Sequence, residues 1–208
     1  MKEILKLLSI SSRALNSNLF DIENVKIKSL NNELKKMLSI KNGFYAFESA
    51  LHVFPATTSD MEIDIFEWND IDLWKKEYDQ NLSNVIFFAE DIFGVQFCLK
   101  DNKIFTFDPE TGDYEYLADS LEEWAEKILL DYDILTGASL AHEWQVLHGN
   151  IPNGMRLLPK KPFVLGGDYT LENMYLEDSI KGMKYRACIA NQIKNLHDGT
   201  EIRINIQE

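Results

Sequence analysis

The chain is poor in what most membrane and enzyme classes require. Among its 208 residues no apolar run approaches the roughly 20 residues that span a bilayer, so no membrane helix is expected. Only two cysteines are present, Cys98 and Cys188, both in apolar or helical surroundings. That excludes a disulfide framework; both are expected to be buried, free thiols in a reducing cytoplasm. The opening residues Met1-Lys2-Glu3-Ile4-Leu5-Lys6 carry an acid and no A-x-A cleavage site, so they do not read as a secretory leader.

Chemistry-bearing motifs are also scarce. His142-Glu143 is followed by His148, but a helical zinc site of the H-E-x-x-H kind needs its histidines four apart, and these are six apart. Asp108-Pro109-Glu110-Thr111-Gly112-Asp113 superficially resembles a calcium loop. Its sixth position is Asp113 instead of Gly, and its twelfth is Asp119 instead of Glu. Gly166-Gly167-Asp168 lacks the Lys-Ser/Thr that would hold phosphates and reads as a turn. There is no G-x-S-x-G elbow, and neither cysteine has a nearby histidine. No catalytic residue, metal or cofactor is therefore assigned, and a non-enzyme is expected. A small hydrolase working through Glu90 or Asp91 is the competing class, and it lacks an acid–base partner.

Negative charge, by contrast, is abundant and unevenly placed. Residues Asp60 to Asp133 hold 21 acids and 5 bases, whereas the rest holds 13 acids and 16 bases. Such a segment repels the phosphate backbone, which argues against a nucleic-acid partner. It favours a basic protein partner, or it serves solubility alone. Asp60, Glu62, Asp64, Glu67, Asp70 and Asp72 lie close in sequence and are the first candidates for an acidic docking face. Glu90-Asp91 closes a very apolar strand, where a carboxylate either caps a turn or borders a pocket; both join the candidate set.

The pattern predicts an α+β fold. Val85-Ile86-Phe87-Phe88-Ala89 suits a central strand covered on both faces. Strands over Phe93–Leu99, Lys103–Phe107 and Tyr114–Leu117 are separated by Asp101-Asn102 and by the 108–113 turn, which makes a meander. Ser120 with Glu123 forms a capping box for a helix whose Leu121, Trp124, Ala125, Ile128 and Leu129 make one apolar stripe. Helices are further expected over residues 3–15, after a Ser29 cap, over 70–78, over 139–147 and over 184–195. Leu51 to Phe54 reads as a strand, and Asp60 to Ile65 as a half-exposed edge or loop. Trp68, Trp74, Trp124 and Trp144 lie on helical apolar faces and are expected to be core or groove-lining, not a ligand cage. The proline-rich stretch 150–167 reads as an irregular connection, so a domain over 1–150 and a docked extension over 151–208 are expected. Alternating Ile202, Ile204 and Ile206 predict a last strand.

This order of elements resembles the SUKH superfamily, which includes fungal cell-wall-synthesis regulators of the Smi/Knr type and many bacterial toxin-immunity proteins. The likeness rests on Lys41-Asn42-Gly43-Phe44 after a helical N-terminus, on Glu90-Asp91-Ile92-Phe93-Gly94 after an apolar strand, and on Ser120-Leu121-Glu122-Glu123-Trp124 opening the closing helix. It covers roughly residues 1–131 and departs in lacking a double glycine after the Asn and in its long C-terminal extension. The resemblance implies a cytoplasmic, non-enzymatic binding module, most often an immunity protein blocking a cognate toxin. A regulatory scaffold without a toxin partner is the alternative. The oligomeric state is left open.

Overall fold

The computed structural model describes residues 1–17, 30–57, 62–197 and 199–200. Asp60, the Ser29 cap and the strand expected around Ile202, Ile204 and Ile206 lie outside them. Helix α1 (Lys2–Ile10) buries Ile4, Leu7 and Leu8, the face that its spacing marks, but stops short of the expected residue 15. Helix α2 (Asn32–Ile40) buries Leu34, Met37 and Leu38, and its cap is Asn31, whose side chain accepts from the Glu33 N–H at 2.7 Å.

The sheet is a six-stranded antiparallel meander in simple sequence order. Its strands are β1 (Phe44–Ala46), β2 (Leu51–Val53), β3 (Ile86–Asp91), β4 (Gln96–Lys100), β5 (Lys103–Phe107) and β6 (Tyr114–Ala118). Asp101 and Asn102 take φ of +51° and +60°, the two-residue hairpin geometry that short Asx side chains tolerate. Helix α4 here means the third long helix, Leu121–Leu130, once α3 (Ile65–Trp68) is counted. The Glu123 N–H donates to Ser120 Oγ at 3.1 Å, while the Glu123 carboxylate reaches the Asp119 N–H instead of that of Ser120, so only half of the capping box forms. Trp124 is fully buried, edge-on to Phe88 at 5.1 Å and to Phe97 at 5.8 Å. Glu122 ties α1 to α4 by accepting from the Glu3 N–H at 2.8 Å and pairing with the N-terminal ammonium.

An aromatic layer covers the other sheet face. Trp68 packs on Phe54, and Trp74 packs on Phe87 and Tyr78. The helix expected over 70–78 is absent: turns lead into a single 3-10 turn, Lys75–Glu77, and Ile71 is exposed. Tertiary bonds override the helical spacing there. Trp74 Nε1 donates to the Trp68 carbonyl at 2.8 Å, and the buried Lys75 ammonium donates to the Val85 carbonyl at 2.8 Å.

After α4 come α5 (Tyr132–Thr136) and α6 (Ala138–His148). The stretch 150–167 is not wholly irregular, because β7 (Met155–Pro159) lies within it and pairs antiparallel with β8 (Met174–Asp178). Its prolines sit at and beyond the strand ends, where no ladder N–H is needed. Helix α7 (Ser179–Ile193) starts five residues before the expected Lys184 because Asp178 caps it, accepting from the Lys181 N–H at 2.9 Å. Met183, Ala187 and Ala190 of α7 join the same core as the meander.

Candidate functional site

Glu90 and Asp91 organise two polar regions on either side of β3. Glu90 pairs across the ladder with His52 on β2 and with Gln96 on β4, so the three side chains share one face. There Glu90 is ion-paired with Arg156 of β7, whose Nε lies 2.9 Å away, and meets His52 Nδ1 at 3.2 Å, Gln96 Nε2 at 3.2 Å and Ser179 Oγ at 3.3 Å. Burial alone would raise this carboxyl, but Arg156, His52 and Gln96 outweigh it and hold it down at about 2. Burial pushes His52 down to about 4, so the ring is neutral and its Nδ1 proton points at the ionised Glu90. His52 Nε2 then faces Glu62 Oε2 at 3.7 Å, and burial raises the Glu62 carboxyl to about 7. A chamber of about 180 Å³ remains between His52, Glu62, Glu90, Trp68 and Ser179.

On the other side Asp91 caps the β3–β4 turn, its Oδ1 accepting from the Phe93 N–H at 2.9 Å and the Val95 N–H at 2.8 Å. Gly94 follows at φ +77°, and a Cβ there would strike the Arg186 guanidinium, which donates to the Phe93 carbonyl. Gly137, at φ +68° between α5 and α6, is likewise required: a Cβ would run into the Phe93 ring. With the Ile92 N–H donating to the Thr136 carbonyl at 3.3 Å, these contacts set α5–α6 beside the turn.

Between them opens a groove of about 930 Å³. Six of its lining residues are acids: Asp91, Asp108, Asp113, Glu115, Asp133 and Glu143. Among the described residues that line it none is basic, and none of the six acids is ion-paired. The walls also carry apolar residues, with Phe93, Phe97, Leu135, Leu140 and the exposed Ile134 and Tyr169, beside Thr106, Thr111 and Ser139. The arrangement suits an extended or helical segment that is both basic and apolar.

The acidic face expected from the sequence is redistributed. Glu62, Asp64, Glu90 and Asp91 are all less than a tenth exposed, so they are internal and do not form an open face. Asp64 caps α3, accepting from the Phe66 N–H at 2.9 Å and the Glu67 N–H at 2.8 Å. Glu67, Asp70 and Asp72 are exposed, and none of them lines the groove. His142 meets Glu48 at 2.8 Å on the surface, and His148 stacks on Trp144, which is half-buried. Cys98 is buried and Cys188 half-buried, both free. Sequence reasoning missed His52, Gln96, Arg156 and Arg186. A usable signal existed for one of them, since a histidine inside the apolar strand Leu51–Val53 needs a polar partner.

The model of the SMI1 / KNR4 family (SUKH-1) matches residues 16–127, just over half of the chain. The chain belongs to this family. The SUKH membership expected from the sequence thus holds, and the motif Glu90-Asp91-Ile92-Phe93-Gly94 has a physical meaning here: an ion-pair anchor, a turn cap, a core residue, a groove wall and a seat for Arg186. A crystal structure of Atu4351 from Agrobacterium tumefaciens is similar to the chain with a TM-score of 0.55. The two are 15% identical over 90% of this chain and 88% of that one. That likeness concerns the fold, and it reaches well beyond the family segment. No curated protein matches the chain. No helix among the described residues is long and apolar enough to cross a membrane.

Proposed function

We propose that this SUKH protein is a non-catalytic, cytoplasmic binding module that neutralises a cognate toxin by occupying a basic surface of it. The observation that carries the reading is the groove beside Phe93: open, partly apolar, lined by six acids and by no base among the described residues. Immunity by occlusion needs only a complementary surface, and opposite charge accelerates association. A regulatory scaffold would use the same groove on a partner that is not a toxin. Glu90 does not suit the hydrolase reading, since it is held ionised and enclosed by Arg156 and His52.

The test is co-purification of a candidate cationic toxin domain from the native host with wild type and with the Glu115→Gln, Asp133→Asn, Glu143→Gln variant. Wild type is expected to form the complex and block the toxin's activity; the variant is expected to bind more weakly, with the difference shrinking as salt rises. Equal binding by both would overturn the groove as docking site. A groove-dependent complex with a non-toxic partner would select the scaffold reading.

A further inference from the structure

The groove is not uniform along its length, and its floor differs from its rim. Asp113, Glu115, Asp133 and Glu143 are exposed, whereas Asp91 is only 6% exposed although it lines the same space. Asp91 Oδ1 is occupied by the Phe93 and Val95 N–H groups, and Oδ2 has no hydrogen-bond or ion-pair partner among the described residues. Neither of the two nearby arginines is ion-paired with Asp91. Arg186 donates to the Phe93 and Gly182 carbonyls, and Arg156 pairs with Glu90 and donates to the Met155 carbonyl. A half-satisfied, nearly buried carboxylate is costly unless something completes it, and burial raises the Asp91 carboxyl to about 8, so an arriving cation displaces its proton.

An aromatic stack shares this end of the groove. Tyr169 stands 61% exposed, its ring stacked on Phe163 at 3.8 Å and edge-on to Phe93 at 5.3 Å. Asp91 and Asp108 line the same space as this ring. An unpartnered carboxylate oxygen and an exposed, stacked aromatic surface together match one chemical group. The planar guanidinium forks onto carboxylates and stacks on rings, and it sheds water more readily than an ammonium does.

We infer that the groove anchors a single arginine side chain of the partner, its guanidinium taken by the Asp91 carboxylate and laid against Tyr169. This rests on the groove being the docking site and adds what the partner must present there: one arginine within an otherwise apolar, basic segment. The anchor would be the centre of the interface, desolvated and partly buried, with the rim acids supplying attraction at longer range.

The probe is a blocked peptide, acetyl-Lys-Leu-Arg-Leu-Lys-amide, with companions in which the central arginine is citrulline or lysine. Binding is followed by the amide shifts of Phe93 and Val95, the two N–H groups held by Asp91, and by calorimetry. The arginine peptide is expected to bind with saturable shifts at both amides and the lysine peptide more weakly. The citrulline peptide should bind about tenfold more weakly or worse, as loss of a charged anchor requires. Asp91→Asn keeps an acceptor for both backbone N–H groups and cannot ionise when a guanidinium arrives, so the turn persists and arginine loses its advantage over citrulline. Tyr169→Ala changes an exposed residue and should weaken the arginine peptide several-fold. If all three peptides bind alike and Asp91→Asn changes nothing while the rim variant still weakens them, the arginine anchor is wrong and the docking groove stands. If no peptide shifts the groove amides, both readings fall.

Discussion

Glu90 and Asp91 are adjacent on β3, and consecutive strand residues leave a sheet on opposite faces. On one face Glu90 meets Arg156, His52, Gln96 and Ser179 and is held ionised at about 2. On the other Asp91 has two backbone N–H groups and no ion pair, and burial raises it to about 8. The first carboxylate is completed by the protein's own C-terminal hairpin and is therefore structural. The second is left half-completed beside an open groove. A buried carboxyl with a full set of partners holds a fold together, whereas one without them is a place where another molecule can contribute.

The largest effect expected from this contrast is on stability. Glu90→Gln strands Arg156, which has no exposure, and should cost about 3–5 kcal/mol in denaturant unfolding, as breaking a buried pair does. Glu90→Leu combined with Arg156→Met should regain a large part of that loss, because no unpaired charge then remains. A Glu90→Gln protein as stable as wild type would remove the distinction between the two acids.

The pair also differs in what could be foreseen. The meander, the Asp101-Asn102 hairpin and the stripe from Leu121 to Ile128 were legible because each is a local pattern: alternation, turn chemistry or helical period. The Glu90 network was not, because Arg156 lies 66 residues further on, inside a proline-flanked stretch that lacks strand alternation. The run Asp70–Tyr78 misled for the same reason in reverse. Its Trp74 and Tyr78 carry helical spacing, yet bonds from Trp74 and Lys75 to distant carbonyls decide the backbone. The groove acids stood in plain view within the acidic segment, but only the fold shows that Asp91, Asp113, Asp133 and Glu143 face one space and that Glu62 and Asp64 do not.

A second test separates the two acids by pH. Glu90 lies below its ordinary 4.5, so its contribution to stability is complete above that value and is lost as pH falls through about 2. Asp91 lies above its ordinary 3.8, so the folded chain holds a proton that the unfolded chain has released. Its effect is a stability that declines as pH rises from about 4 to about 8. Glu62, raised to about 7, acts in the same direction. The melting temperature of wild type should therefore fall between pH 5 and pH 8, by the sign just given, and that of Asp91→Asn should fall less. Identical slopes for the two proteins would show that Asp91 is not the group responsible.

The rim of the groove should behave differently from both. Glu115→Gln, Asp133→Asn and Glu143→Gln together are expected to alter unfolding stability by no more than about 0.5 kcal/mol per site, since these side chains are exposed and unpaired. Asn at 133 retains the acceptor used by the Ser139 N–H. Association with a basic partner should slow by about tenfold at low salt and converge on wild type as ionic strength rises.

The smallest effect belongs to Glu67, Asp70 and Asp72, the exposed remainder of the acidic run that the sequence singles out. They lie outside the groove, and Asp72 already pairs with Lys76 at 3.3 Å. At physiological ionic strength the screening length is about 8 Å, so charges beyond the contact act on a partner only through a weak residual field. Replacing the three by Gln and Asn should slow association by less than about twofold and leave dissociation unchanged, because rim charges act on encounter and not on the formed complex. Stopped-flow rates for this variant beside those of the groove variant make the comparison direct. Were the Glu67, Asp70 and Asp72 substitutions to slow association more than the groove substitutions do, the docking surface would lie on that run of residues, and the space beside Phe93 would be a solvated cleft.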